Sequence, residues 1–218
     1  ESSKRKGVAK THTDFGGSRG GRGEEYDAWS GDGGNPPEHT TIMPFTRMLS
    51  GPFDFTPGTF DLSYKVPSGA RVQTTLAKQL ALYVVMYSPI QMASDLPENY
   101  EGKPEFEFVK DVPAIWAETK FLDSKIGEYT TVVRKGRKSD DWYLGSITNK
   151  DARKLKVSLS FLSKNKSYKA VIYQDGKGAD YKSNPYPVEI TTKKVNSKTV
   201  LDLTLAPGGG TAIKFESL

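Results

Sequence analysis

Cysteine is absent from the 218 residues, so the chain can build no disulfide framework, no thiolate metal site and no cysteine nucleophile. Histidine is scarce: His12 and His39 are the only two, which excludes a metal site dominated by imidazoles. Long apolar runs are also missing. The stretch from Leu80 to Val85 falls far short of the roughly 20 residues that span a bilayer, and no apolar segment of the signal-peptide kind follows the leading ESSKRKG. No EF-hand loop, HExxH helix, GxSxG elbow or Walker loop occurs, and GGSRGGRGE matches no phosphate-cradle spacing and reads as a loop.

A strong charge of one sign is lacking until the chain is divided. The net charge is +5, but residues 1–113 hold 12 Lys+Arg against 15 Asp+Glu, while residues 114–218 hold 19 against 11. In the basic half lysines alternate with apolar residues, as in RKLKVSLSFL, which is the pattern of a half-buried strand with a solvated face. No aromatic-basic RNA motif accompanies it, so nucleic acid is not an expected partner. A hydrophobic content of 36% over this length supports a buried core in one large or two modest domains.

The period of the pattern changes near Pro113. Before it, EEYDAW reads as a strand end, NPPEHTTIMPFTRMLSG as a helix stopped by Gly51, and PFDFTPG as a short strand. ARVQTTLAKQLALYVVMYS places Leu76, Leu80, Val84 and Tyr87 on one face of a largely buried helix. PIQMASDLPENY gives another short strand and loop, and PEFEFVKDVP a final short helix. This strand–helix alternation is that of a parallel α/β sheet, as in a segment of a barrel. After Pro113, eight strand signals separated by turns such as NSK, PGGG and DGKGAD predict an antiparallel β-sandwich over 114–218.

The chemistry concentrates in the first half. In GGNPPEHTT, local spacing makes Asn35 an N-cap, Pro36 the first helical residue and Glu38 the third-position partner of a capping box. The same Glu38 has carboxylate company: Glu24, Glu25 and Asp27 at a strand end, Asp32 in the glycine loop, Asp54 and Asp95 at later strand ends. Strand ends of a β/α barrel converge on one face, where active sites are built. Tyr26, Trp29, Phe53, Phe55 and Phe60 can supply apolar surfaces for a sugar ring or simply pack in the core. Clustered carboxylates suit two chemistries, glycoside hydrolysis by an acid and a second carboxylate, or calcium binding by hard oxygen ligands.

RGEEYDAW, GGNPPEHTTIMPFTRMLSGPFDFTPGTFD and SPIQMASDLPENYEG closely resemble glycoside hydrolase family 97, the α-glucosidase and α-galactosidase group with its susB-type members. ETKFLDSKIGEY, DDWYLGSITN and LAPGGGTAIKF are similar to that family's C-terminal β-domain, so the resemblance covers essentially the whole chain. It implies that residues 1–113 are the C-terminal segment of a (β/α)8 TIM barrel and 114–218 an antiparallel sandwich, with the N-terminal part of the enzyme lying outside this sequence. It further implies Glu38 as general acid or acid/base, Glu25 as a ligand of a catalytic Ca2+ with Glu24 as its alternative, and Asp32 as a further ligand. The resemblance also implies that the partner carboxylate lies outside these 218 residues. An oligosaccharide or other α-glycoside is the implied substrate, and the periplasm the implied location. The rival expectation is a non-catalytic carbohydrate-binding or scaffold protein that uses Trp142 and Tyr143.

Overall fold

The alternating pattern after Pro113 becomes eight antiparallel strands in the computed structural model, which describes residues 33–52, 55–63, 69–91 and 93–218. They are β1 (Trp116–Lys125), β2 (Tyr129–Gly136), β3 (Trp142–Thr148), β4 (Arg153–Ser158), β5 (Ser167–Asp175), β6 (Val188–Asn196), β7 (Val200–Leu205) and β8 (Gly210–Ser217). Six form one sheet in the order β1-β2-β3-β8-β5-β6, and β4 pairs with β7 in a separate ribbon. Each predicted strand segment contributes one of them.

Successive side chains of a strand point to opposite faces, and both faces of the large sheet are used. Trp142, Leu144, Ile172, Ile213 and Phe215 face the ribbon, where they pack with Val157, Leu201 and Leu203. Tyr143, Ile147, Tyr173 and Ala212 belong to a second core on the other face, built around a helix. This double burial explains why β3 is buried along its whole length instead of alternating.

Before β1 lie α1 (His39–Ile42), two short 3₁₀ turns (Met43–Phe45 and Arg47–Ser50), α2 (Leu76–Val85), α3 (Pro97–Tyr100) and α4 (Phe106–Asp111). The single helix expected from NPPEHTTIMPFTRMLSG is therefore broken into three pieces. Pro44 at the start of the first 3₁₀ turn lacks the N–H that an α-helical continuation needs. Gly51 ends the last piece at a φ of 113°, a conformation that favours glycine. Of the expected short strands, Phe55 and Gln91 form one parallel bridge, with α2 as the crossover between them. Downstream of Gln91 the expected loop turns helical at Pro97, which occupies the first turn of α3.

All ten residues of α2 are buried, Lys78 and Gln79 included. One side packs on the large sheet; the other packs on Phe55, Phe60, Leu62, Tyr100 and Phe108. Two strand glycines permit the approach. A Cβ at Gly145 would stand 2.5 Å from the Ala81 carbonyl oxygen, and one at Gly210 would stand 2.8 Å from the Lys78 Cα. Gly145→Ala forces the helix off β3 and is expected to destabilise the protein by about 1–3 kcal/mol, the usual range for overpacking. Thermal unfolding of the complete protein checks this, and an unchanged midpoint would refute the close contact.

Candidate active site

Glu38 stands where a turn becomes a helix. The expected capping box does not form: α1 begins at His39, and Glu38 itself is the N-cap residue, with no side-chain capping bond. Consecutive prolines explain the delay, because the residue before a proline is driven out of the α region and Pro36 precedes Pro37. The carboxylate is thereby released from helix duty. Glu38 is half-buried, and its Oε2 is shut from solvent with no hydrogen-bond partner among the described residues.

The backbone around it is firmly tied. The Glu38 carbonyl accepts from Thr41 N at 3.0 Å and Thr41 Oγ1 at 2.7 Å. The Pro36 carbonyl accepts from His39 N at 3.0 Å. The Pro37 carbonyl accepts from Thr40 Oγ1 at 3.2 Å and from Lys78 Nζ at 2.8 Å. Upstream, Gln73 Nε2 donates to the carbonyls of Gly33 and Gly34 at 3.0 and 3.2 Å.

Lys78 reaches this turn from α2, and its Nζ also donates to the Thr148 carbonyl at the end of β3, at 2.8 Å. Burial lowers its pKa to about 7, against the opposing charges of Asp175 and Glu38. His39 is lowered by burial and by Lys78, with Glu38 pulling the other way. Asp175 on β5 is raised to about 6 by burial, although the Thr75 hydroxyl, the N–H groups of Ala206 and Gly210, and Lys78 all favour its ionised form. The result is a small buried set of ionisable groups beside the turn, connected through Thr75, whose Oγ1 donates to Asp175 at 2.6 Å.

Other predicted site residues divide clearly. Glu24, Glu25, Asp27, Asp32, Asp54, Tyr26, Trp29 and Phe53 lie outside the described residues. Asp95 is a loop cap: its carboxylate accepts from the N–H groups of Phe60, Asp61 and Leu96 at 2.7, 2.6 and 2.8 Å and from Asn99 Nδ2 at 2.6 Å. Partial burial pushes its pKa up, but these bonds outweigh that and hold it below the ordinary value. Phe55 and Phe60 are core residues. Trp142 and Tyr143 are buried on opposite faces of the sheet, so neither offers a platform to a glycan. Among the described residues no three acidic or histidine side chains gather as a metal site. The expected calcium ligands, Glu25 or Glu24 and Asp32, lie outside the described residues; Glu38 Oε2 is a hard oxygen with no partner among the described residues.

Sequence reasoning missed Lys78 and Asp175. Lys78 did carry a signal: a lysine two residues after Leu76 and two before Leu80, inside a run that is otherwise apolar, has to find oxygen in the interior.

Residues 115–216 match the family described as "Glycosyl-hydrolase 97 C-terminal, oligomerisation". A retaining alpha-galactosidase from Bacteroides thetaiotaomicron is 37% identical over 221 residues, covering 96% of this chain and 32% of that protein. A glycoside hydrolase family 97 enzyme from Pseudoalteromonas sp. strain K8, solved with acarbose, is 51% identical with a TM-score of 0.85, covering 90% of this chain and 31% of that one. A glutamate-to-glutamine variant of a family 97 enzyme from the same strain, solved with panose, has the same identity, TM-score and coverage. The chain thus spans about a third of the length of these relatives.

The raised pKa of Asp175 has a measurable consequence. Between the ordinary 3.8 and about 6 the native state holds a proton that the unfolded chain releases, so this group's contribution to stability rises as pH falls from 6 towards 4. In Asp175→Asn the amide can donate to Thr75 while its oxygen accepts from Ala206 and Gly210. We expect that variant to fold and to lose this part of the pH dependence, measured as denaturation midpoints at pH 4, 5 and 6. Identical profiles for the two proteins would show that Asp175 titrates normally.

Proposed function

Because the chain belongs to glycoside hydrolase family 97, we propose that it carries the proton-donating side of the active site of a calcium-assisted, exo-acting α-glycosidase. Residues 1–113 are on this reading the closing segment of a (β/α)8 barrel, since a whole barrel takes about 250 residues and the remainder lies elsewhere in the complete protein. The Phe55–α2–Gln91 crossover supports it, being the parallel unit from which such barrels are made. The observation that carries the function is the Glu38 carboxylate, held on a tied turn yet with Oε2 unpartnered among the described residues, as a group that must hand a proton to a glycosidic oxygen requires.

Glu25 and Asp32 would hold the calcium, with Glu24 as the alternative to Glu25. Bound there, the ion would polarise substrate or water oxygens and shift nearby carboxyl pKa values. The substrate is an α-galactoside or an α-glucoside: one relative is named for the first, and another was solved with panose.

Glu38→Gln in the complete protein is expected to cut turnover of a disaccharide substrate by about 10²–10⁴-fold with an unchanged melting temperature. Normal turnover would remove Glu38 from the mechanism. Nitrophenol release from the α-glucoside and the α-galactoside, with calcium and then with a chelator, identifies the sugar and the metal together. We expect loss of rate on chelation and recovery with added calcium; a rate indifferent to both would eliminate the ion and leave the acid assignment standing.

A further inference from the structure

Lys78 touches no atom of the proposed chemistry, yet both of its Nζ bonds concern where Glu38 sits. The Pro37 carbonyl belongs to the peptide group that joins Pro37 to Glu38, and that group is planar. Holding its oxygen therefore fixes the direction in which the Glu38 Cα leaves the turn. Lys78 holds it at 2.8 Å, and the same nitrogen is anchored at 2.8 Å to the Thr148 carbonyl. Thr148 is itself fixed, its N–H donating to the Gly209 carbonyl at 3.0 Å. Gly210 completes the device, because any side chain there would collide with the Lys78 Cα. Packing alone gives no reason for an amine at this position, since an apolar side chain of similar length fills the same space without burying a charge.

We propose that Lys78 is the positioning residue of Glu38, clamping the acid-bearing turn to the end of β3 so that the sandwich domain sets the acid's aim. This rests on reading Glu38 as the proton donor. The sandwich then contributes to catalysis without supplying a catalytic residue, and misalignment of the turn should weaken proton donation more than it weakens substrate binding.

Proton donation matters most for a poor leaving group, which gives the test its selectivity. In the complete protein, kcat/KM is measured for Lys78→Met, Gly210→Ala and Glu38→Gln on a disaccharide and on the nitrophenyl glycoside of the same sugar. Lys78→Met is expected to lose about 10²-fold on the disaccharide and less than about tenfold on the nitrophenyl substrate, following the pattern of Glu38→Gln. Gly210→Ala, which displaces Lys78 but keeps its amine, should lose less with the same preference. If Glu38→Gln shows the preference and the other two lose equally on both substrates, or lose nothing, the positioning role is wrong and the acid assignment stands. If Glu38→Gln shows no preference, the acid assignment falls and the clamp with it. Should Lys78→Met fail to fold, Gly210→Ala decides by the same comparison.

Discussion

A helix sealed from water on every side must satisfy both its ends and its polar side chains inside the protein, and α2 does this largely with groups from the sandwich. At its C-terminus the Arg134 guanidinium, projecting from β2, donates to the Val84 carbonyl at 2.6 Å and reaches the Val85 carbonyl at 3.4 Å. Burial lowers the pKa of Arg134 to about 10, which still leaves it cationic at neutral pH, the charge that a helix C-terminus favours. At the N-terminus, Thr75 caps the Lys78 N–H, and the Leu76 N–H finds the Pro185 carbonyl at 2.8 Å. Asp175 steadies Thr75 and at the same time accepts the N–H groups of Ala206 and Gly210, which lead into β8. The change of sequence period at Pro113 marks a change of local structure, but the packing runs straight across it.

What was legible in the sequence was local. Eight strands could be read because alternation and turn residues repeat every few positions, and α2 could be read because Leu76, Leu80 and Val84 recur at helical spacing. The Glu38 turn was misread at the level of one helical cap. Asn35 and Glu38 have the spacing of a capping box, but two prolines in a row push the helix start past both. Asp95 had the same composition signal as a catalytic carboxylate; four donors that converge on it, from the Phe60–Asp61 loop and from the start of α3, make it architectural, and no spacing rule reveals that convergence.

The groups that were not legible all bridge distant parts of the chain. Lys78 links residues 41 positions upstream and 70 downstream. Arg134 reaches back 50 positions to the end of α2. Their chemistry is ordinary, a buried cation seeking backbone oxygen, but the partners are chosen by how the helix lies on the sheet. That lie is in turn fixed by Gly145 and Gly210, which in the sequence read only as a small residue in one strand and the last glycine of the PGGG turn.

The two backbone contacts of Lys78 do not depend on the charge of its amine. Burial disfavours the charged form of Lys78, while the negative charges of Asp175 and Glu38 favour it. An ammonium has three N–H donors and a neutral amine two, and two carbonyls are served, Pro37 in the turn and Thr148 at the end of β3. The geometry of the turn is therefore available in either state of Lys78, and its burial can lower the pKa to about 7 without releasing the backbone that carries Glu38.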